Sequence, residues 1–233
     1  MQYKGEELIL FRNSVNWKAY FAKFIKKYIK GDVLEVGSGL GINVNYLFNN
    51  LVKNWVFLEP DQDLADQIKV NILIPSLENP EIIKGTIQTI SQRKFDVIIY
   101  IDVLEHIKDS KSELAYAADL LHKNGHLIIL APAHQYLFSK FDEAIGHERR
   151  YDKRTLQDEI PASLETAKIF YLDSLGAIAS MMNKFLLFQH YPSTRQINFW
   201  DSVLIPVSGV TDPILGYHFG KTIIGIFKKQ NEE

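Results

Sequence analysis

Val33-Leu34-Glu35-Val36-Gly37-Ser38-Gly39-Leu40-Gly41 sets the reading of everything around it. A short Val/Leu run with one acid ends in three alternating glycines, and Ile42 to Phe48 then reads as the start of a helix. Strand, tight glycine turn and helix is how an α/β protein presents a nucleotide-like ligand at the carboxyl end of its first strand. The glycines permit backbone angles that a side chain forbids, and they let the main chain approach a ligand closely.

Spacing separates the ligands. A dinucleotide fingerprint, G-x-G-x-x-G, needs a glycine at its sixth position, and counting from Gly37 that position is Ile42. What remains is G-x-G-x-G with Glu35 two residues upstream. A carboxylate there repels a pyrophosphate and suits a ligand with a cationic amine. S-adenosylmethionine carries an ammonium and a sulfonium and no phosphate. At this point the sequence resembles the class I S-adenosylmethionine-dependent methyltransferases, whose first motif is two hydrophobic residues, Glu or Asp, a hydrophobic residue and G-x-G-x-G.

The chain has 233 residues, 46% of them hydrophobic, enough for one substantial α/β domain with an elaboration. A net charge of −2 gives no basic field for nucleic acid. The absence of cysteine removes disulfides, thiolate zinc sites and cysteine nucleophiles together. Met1 to Ser14 lack the basic start and apolar core of a signal peptide, and the apolar stretch around Leu175 to Phe188 is interrupted by Asn183 and Lys184. A soluble, cytoplasmic protein is the expectation.

Residues 1–30 read as an N-terminal helical segment. Trp17, Tyr20, Phe21, Phe24, Ile25 and Tyr28 recur at helical spacing, while Lys18, Lys23, Lys26, Lys27 and Lys30 fill the other, solvated face. The sharper reading of that helix is a lid over the ligand or a contact with an anionic surface. Trp55 to Leu58 is the second strand, ending in Glu59-Pro60-Asp61. An acid about 20 residues past a glycine loop is where a ribose hydroxyl pair is gripped, which nominates Glu59; Asp61 reads as the cap of a helix over Gln62 to Val70. Glu81 to Lys84 is a weaker third strand before Gly85-Thr86-Ile87, where the resembling family often carries an acid for the adenine amine. Here Thr86 stands in that place, leaving hydroxyl or backbone contacts with Ile87 beside it.

Phe95 to Ile101 is a nearly continuous apolar run of the buried parallel type. It leads into Asp102-Val103-Leu104-Glu105-His106, which closely resembles the same family's fourth-strand motif and implies Asp102, Val103 and His106 on the cofactor pocket. Asp102, Glu105 and His106 also put carboxylates and an imidazole on one turn. No second His stands at the i+4 spacing of a zincin, so no metal site is assigned. Ser112 to Lys123 reads as a helix closed by Asn124-Gly125, and His126 to Leu130 as the fifth strand. A long irregular segment follows to Thr155, carrying His134, Asp142 and Gly146-His147-Glu148-Arg149-Arg150-Tyr151. The Asp and Gly-His-x-Arg-Arg-Tyr sequence looks like a recurrent branch of the family, associated with bacterial glycan, lipid and natural-product tailoring.

Thr166 to Tyr171 is a sixth strand and Thr222 to Phe227 a final one, antiparallel in the resembling fold. The segment 172–221 between them is far longer than an ordinary connection and reads as a helical cap within the same 1–233 domain. Leu175, Ile178, Met181, Met182, Phe185, Leu186 and Phe188 make one side of its helix apolar, Tyr191-Pro192 end it, and Phe199-Trp200 add bulky aromatics. These residues suit an acceptor with an apolar part. The core, a second subunit in a homodimer and a membrane surface, with Lys184 at the polar margin, stay open as their alternative partners.

The expectation is therefore a doubly wound, mostly parallel seven-stranded sheet of Rossmann-like methyltransferase type with a helical cap. Its cofactor would be S-adenosylmethionine, bound by Glu35, Gly37, Ser38, Gly39, Gly41, Glu59, Pro60, Thr86, Ile87, Asp102, Val103 and His106. The acceptor would be a small molecule, glycan or lipid-linked compound methylated at oxygen, with His147, His134, Asp142 and Tyr151 the groups in reach for acid–base work. A catalytically silent cofactor-binding subunit and a nucleotide-cofactor oxidoreductase are the alternatives.

Overall fold

The computed structural model describes residues 7–77, 79–184 and 191–230. Seven strands run in chain order as β1 (Gly31–Val36), β2 (Val52–Glu59), β3 (Glu81–Lys84), β4 (Phe95–Ile101), β5 (Leu121–Pro132), β6 (Leu164–Leu172) and β7 (Thr222–Lys229). They form one sheet in the order β3-β2-β1-β4-β5-β7-β6, parallel throughout except for β7, which runs antiparallel to β5 and β6. The described helices are α1 (Glu7–Phe11), α2 (Val15–Ile25), α3 (Val44–Leu47), α4 (Gln62–Asn71), α5 (Ser110–Asp119), α6 (Lys140–Ile145), α7 (Lys153–Gln157), α8 (Ser174–Met182), α9 (Thr194–Phe199) and α10 (Ile205–Ile214). This is the sheet expected from the sequence, including its antiparallel final strand.

The apolar runs become strands because both faces of the sheet are covered. Val33, Trp55, Phe57, Val97, Ile99 and Ile128 point to the side occupied by α2 and α4. Leu34, Val36, Val56, Leu58, Ile98 and Ile129 point to the side of α5 and Leu156. Strand order runs outward one way from β1 to β3 and the other way from β4. The connections leaving β1 and β4 therefore diverge, and a crevice opens at the carboxyl ends of these two strands.

Three local expectations change. The helix after the glycine turn is only Val44–Leu47. The helix before β5 ends at Asp119, because Leu121 already pairs with Phe95. Asn124, at φ 63, and Gly125 consequently lie inside the β5 segment, where its register with β4 shifts. Lys18 does not join the solvated lysine face: it is buried, and its ammonium donates to the carbonyls of Phe11 (2.7 Å), Arg12 (3.3 Å) and Ser14 (3.5 Å). Burial lowers its pKa to about 8 against the pull of Asp201 and Asp102.

The segment between β6 and β7 forms α8, α9, a π-helical turn at Trp200–Leu204 and α10. Of the helix expected there, Ser174–Met182 is α-helical and 183–184 are π-helical, while Phe185, Leu186, Phe188 and Gln189 lie outside the described residues. Three buried carboxylates fasten this insertion to the body. Asp201 accepts from the amides of Trp17 (2.8 Å) and Asn16 (3.2 Å), capping α2 from another part of the chain where Ser14 makes no side-chain cap. Asp212 takes the Tyr20 hydroxyl (2.9 Å) and the amides of Asp173 (2.7 Å) and Ser174 (2.9 Å). Asp173 takes the Trp200 indole (2.7 Å), the Gly176 amide (2.8 Å) and the Ser208 hydroxyl (3.1 Å). No helix among the described residues is long and apolar enough to cross a membrane.

Glu35 lies beneath the glycine turn, 1% exposed, accepting from Asn43 Nδ2 and Trp55 Nε1 at 3.1 Å each. Burial pushes its pKa up to about 7, and the two donors only partly oppose that.

Two measurements test these fastenings. Asp201→Ala should lower stability to urea by about 1–2 kcal/mol, the upper range for loss of a helix cap, since Trp17 and Asn16 amides lose their acceptor. Glu35 retains its proton in the folded chain where the unfolded chain has released it. Its contribution is therefore full below about pH 4.5 and lost as pH rises through about 7. Glu35→Gln should remove that slope, worth at most about 3 kcal/mol, from urea midpoints measured across the same window.

Candidate active site

The turn after β1 is built for a close approach. Gly37 and Gly41 sit at φ 62 and 71, and a Cβ on either would come within 2.6 Å of Val103 or 2.7 Å of Ile68. Gly39, also left-handed, is different: its Cβ position meets only Leu8 of α1, at 3.6 Å. Ser38 beside it is 5% exposed, and its hydroxyl has no hydrogen-bond partner among the described residues. Glu59 ends β2 with one oxygen on the Gly39 amide (2.7 Å) and the other on the Asp61 amide (2.9 Å). Each oxygen keeps a further lone pair, the pattern a ribose diol requires. Pro60 follows, half-buried, and Asp61 caps α4 through the Leu64 amide (3.0 Å), as expected. Thr86 is exposed at the next strand end, whereas the Ile87 side chain is fully buried in the core, leaving only its backbone for a ligand.

Glu35, 1% exposed below the turn, takes one donor on each oxygen, Asn43 and Trp55, and so supports the loop from beneath.

The end of β4 stands beside this turn. Asp102 is left-handed at φ 54, an uncommon conformation for a residue with a side chain, and its amide donates to Leu130 O (2.9 Å). Its side chain is open to solvent along one side and walled by protein on the others. That setting pushes its pKa up to about 6 against the pull of His147, Lys221 and Lys18. Val103 packs on Gly37, and Leu104–His106 make a tight turn. Within that turn Glu105 is fully buried, neither carboxylate oxygen has a hydrogen-bond partner among the described residues, and burial drives its pKa well up. Burial and the neighbouring His147 lower His106 to about 4.

His147 reaches this point from far along the chain through a local device. Ser139 and Asp142 form a capping box at the start of α6, and Gly146, at φ 83, ends it. The reversal returns His147 Nδ1 to Asp142 Oδ1 at 2.8 Å. Arg150, itself buried, grips both oxygens of Asp142 at 2.9 and 3.0 Å. Burial alone would raise the Asp142 pKa, but His147 and Arg150 hold it well below the usual carboxylate range. The Glu148 amide donates to Glu105 O (2.8 Å), docking the segment on the β4 turn. His147 and His106 then meet edge to face, with ring centroids 4.6 Å apart, and His147 Nε2 lies 3.8 Å from Glu105 Oε1.

The four acid–base candidates are thus separated. His147, with its side chain 9% exposed, lies between Glu105 and Asp142, the latter fully buried as its orienting partner. Tyr151 is 1% exposed in the core, with its hydroxyl on Glu159 (3.2 Å), and burial raises its pKa; it reaches no acceptor. His134, at φ 65, lies in a ring stack with Tyr171 (4.7 Å), Tyr136 (5.1 Å) and Phe219 (5.7 Å), and no described contact joins it to His147.

Sequence reasoning assigned no role to Arg150 or Lys221 in this region, whereas Trp200 was already singled out with Phe199. Lys221 precedes β7 and holds its ammonium 4.8 Å from the Trp200 ring and 5.8 Å from Phe11, with Asp102 and Asp173 attracting it. Only its place at the start of an antiparallel last strand, hence at the carboxyl edge, could have signalled it. Lys184, just past α8, donates to Tyr136 O (2.6 Å) and ties that end of the helix to the loop after β5.

A sequence model described as "Methyltransferase domain" matches residues 15–185. Among curated proteins no relative matches the chain. Solved structures agree in fold. A protein of Bacillus halodurans C-125 described as a candidate methyltransferase is 15% identical, with a TM-score of 0.61 over 91% of this chain and 99% of that one. An S-adenosylmethionine-dependent methyltransferase from Thermotoga maritima is 14% identical, with a TM-score of 0.61 over 96% and 92%. Coclaurine N-methyltransferase, bound to N-methylheliamine and S-adenosylhomocysteine, is 15% identical, with a TM-score of 0.61 over 93% and 72%. The glycine turn, the strand order with its antiparallel last member and the family match converge: this chain belongs to the class I S-adenosylmethionine-dependent methyltransferases.

Proposed function

We propose that this methyltransferase binds S-adenosylmethionine over the glycine turn and methylates an oxygen of an acceptor whose apolar part lies against the insertion. The turn's residues fit the cofactor. Gly39 leaves its ligand side open, Ser38 keeps an unanswered buried hydroxyl, and Glu59 has the lone pairs for a ribose diol. When bound, the cofactor supplies an electrophilic methyl group on sulfonium.

The observation that carries the oxygen assignment is the His147–Asp142 pair. Asp142, kept ionised by Arg150, fixes the His147 tautomer with its proton on Nδ1. The lone pair is then left on Nε2, on the side of Glu105 and the end of β4, where an acceptor hydroxyl that reached it could give up its proton. Trp200, Phe11 and the Lys221 stem close the far side and exclude water, while the Lys221 charge favours an acceptor that becomes anionic. The apolar class of acceptor is supported by the insertion's surface. Phe199, Val203, Val207, Val210 and Ile214 are exposed at intervals of one helical turn, with Ile178 and Met182 exposed on α8. A glycan or small molecule carried on a lipid would engage such a stripe.

Two variants test this reading. Glu59→Ala should weaken cofactor binding in calorimetry by roughly 1.5–3 kcal/mol, the range for hydrogen bonds to a charged group. His147→Ala should lower turnover on a hydroxyl acceptor by about 100-fold or more with cofactor affinity unchanged. Suitable acceptors come from a mass-spectrometric screen of phenols, sugars and prenyl-linked alcohols for gain of one methyl. Undiminished turnover in His147→Ala would remove the oxygen assignment.

A further inference from the structure

We propose that Glu105, His106 and His147 form a binding site for a divalent transition-metal ion at the carboxyl end of β4, of the zinc or manganese kind. One ligand atom from each lies within 4.8 Å of the others, and His147 Nε2 lies 3.8 Å from Glu105 Oε1. Donors bound at roughly 2.0–2.2 Å around one ion are separated by a little over 3 Å, so a small contraction closes the site.

Three features beyond the spacing point to an ion. Glu105 is 0% exposed, yet neither oxygen has a hydrogen-bond partner among the described residues. A bare buried carboxylate is strongly unfavourable, and Asp102 and Asp142 nearby increase that cost. Protonation alone does not resolve it, because the acid proton would face His147 Nε2 across 3.8 Å, beyond hydrogen-bond length. A cation between them does resolve it.

The second feature is the outer shell. His147 presents Nδ1 to Asp142 Oδ1 at 2.8 Å, and His106 presents Nδ1 to Gly146 O at 3.2 Å. A tautomer that donates from Nδ1 carries its lone pair on Nε2. Metal-bound histidines are oriented in this way, one ring nitrogen on the ion and the other on a carboxylate or a backbone carbonyl. Here both kinds of orienting partner come from α6 and its C-terminal glycine. The third feature is Asp102, exposed at φ 54 in the same turn: it stands outside the 4.8 Å cluster, and its negative charge adds to the field that a cation there would answer. Two imidazoles with one carboxylate suit zinc or manganese better than calcium or magnesium.

The role of the ion rests on the reading of an oxygen acceptor. With Nε2 of His147 committed to the ion, His147 would no longer act as base; a hydroxyl bound to the ion would ionise near neutral pH and release its proton to solvent, so the ion-bound site and the free His147 base are two alternative ways of activating the same acceptor. Binding itself requires no acceptor and can be tested alone. Protein treated with a chelator and freed of it should take up one equivalent of Zn²⁺ or Mn²⁺ per chain by calorimetry and elemental analysis, with a rise in Tm. Co²⁺ should give visible ligand-field bands from a site of low symmetry. Glu105→Gln and His147→Gln should each weaken uptake at least 100-fold, while His122→Gln, an exposed imidazole outside the cluster, should leave it unchanged. Glu105→Gln loses only a buried charge, so the metal-free variant should melt no lower than the metal-free parent; this separates lost binding from lost folding. Absence of stoichiometric uptake by the parent protein, or uptake that survives both substitutions, overturns the site and leaves the oxygen-acceptor reading standing. Conversely, an acceptor methylated at nitrogen or carbon would remove that reading and the ion's role without altering the metal count.

Discussion

A carboxylate removed from water has to be met by donors, and the carboxyl edge of this sheet is organised around that requirement. Glu35 is met by Asn43 and Trp55, Glu59 by two loop amides, and Asp142 by an arginine, a histidine and a serine. Each pairing fixes a segment that has little apolar surface of its own. The glycine turn, the irregular stretch after β5 and the start of the insertion are all anchored in this manner. Glu105 differs from these acids: among the described residues no other side chain or amide donates to its oxygens, and Asp102 and Asp142 stand near it.

The insertion follows the same logic on a larger scale. Asp173, Asp201 and Asp212 join α8, the π-helical turn and α10 to α2 through backbone amides, a tyrosine and a tryptophan. Trp17, Trp200 and Phe11 pack on one another beside this network, with ring centroids 5.6–5.8 Å apart. The polar anchors fix orientation and the rings supply burial. Together they leave the opposite side of α9 and α10 to solvent with its apolar residues exposed.

The strands and the glycine turn were legible because their signals are local: continuous apolar runs flanked by breakers, and glycines at a spacing that a fixed backbone path demands. Glu59 was legible by its distance from that turn. Lys18 was not, since helical periodicity assigns it to the wet face and only the fold of Phe11 to Ser14 brings carbonyls over it. Tyr151 and Asp142 read as reactive because their residue types are, while burial decided otherwise. The His106–His147 contact was invisible to a search for ligands within one helical turn. It is made by α6 reversing at Gly146 and docking on β4, a tertiary event that leaves its trace only in the Asp-to-His spacing.

The position of Leu8 over Gly39 carries a consequence for how motion spreads from the site. A ligand lying on the turn would meet Leu8 of α1 as its first neighbour there. Its C-terminal end is tied by the Lys18 ammonium to the carbonyls of Phe11 and Arg12, and Phe11 is wedged against Trp200 of the insertion. A displacement of α1 would therefore be felt in the insertion through the same few contacts, which couple the N-terminal helix to a segment far along the chain.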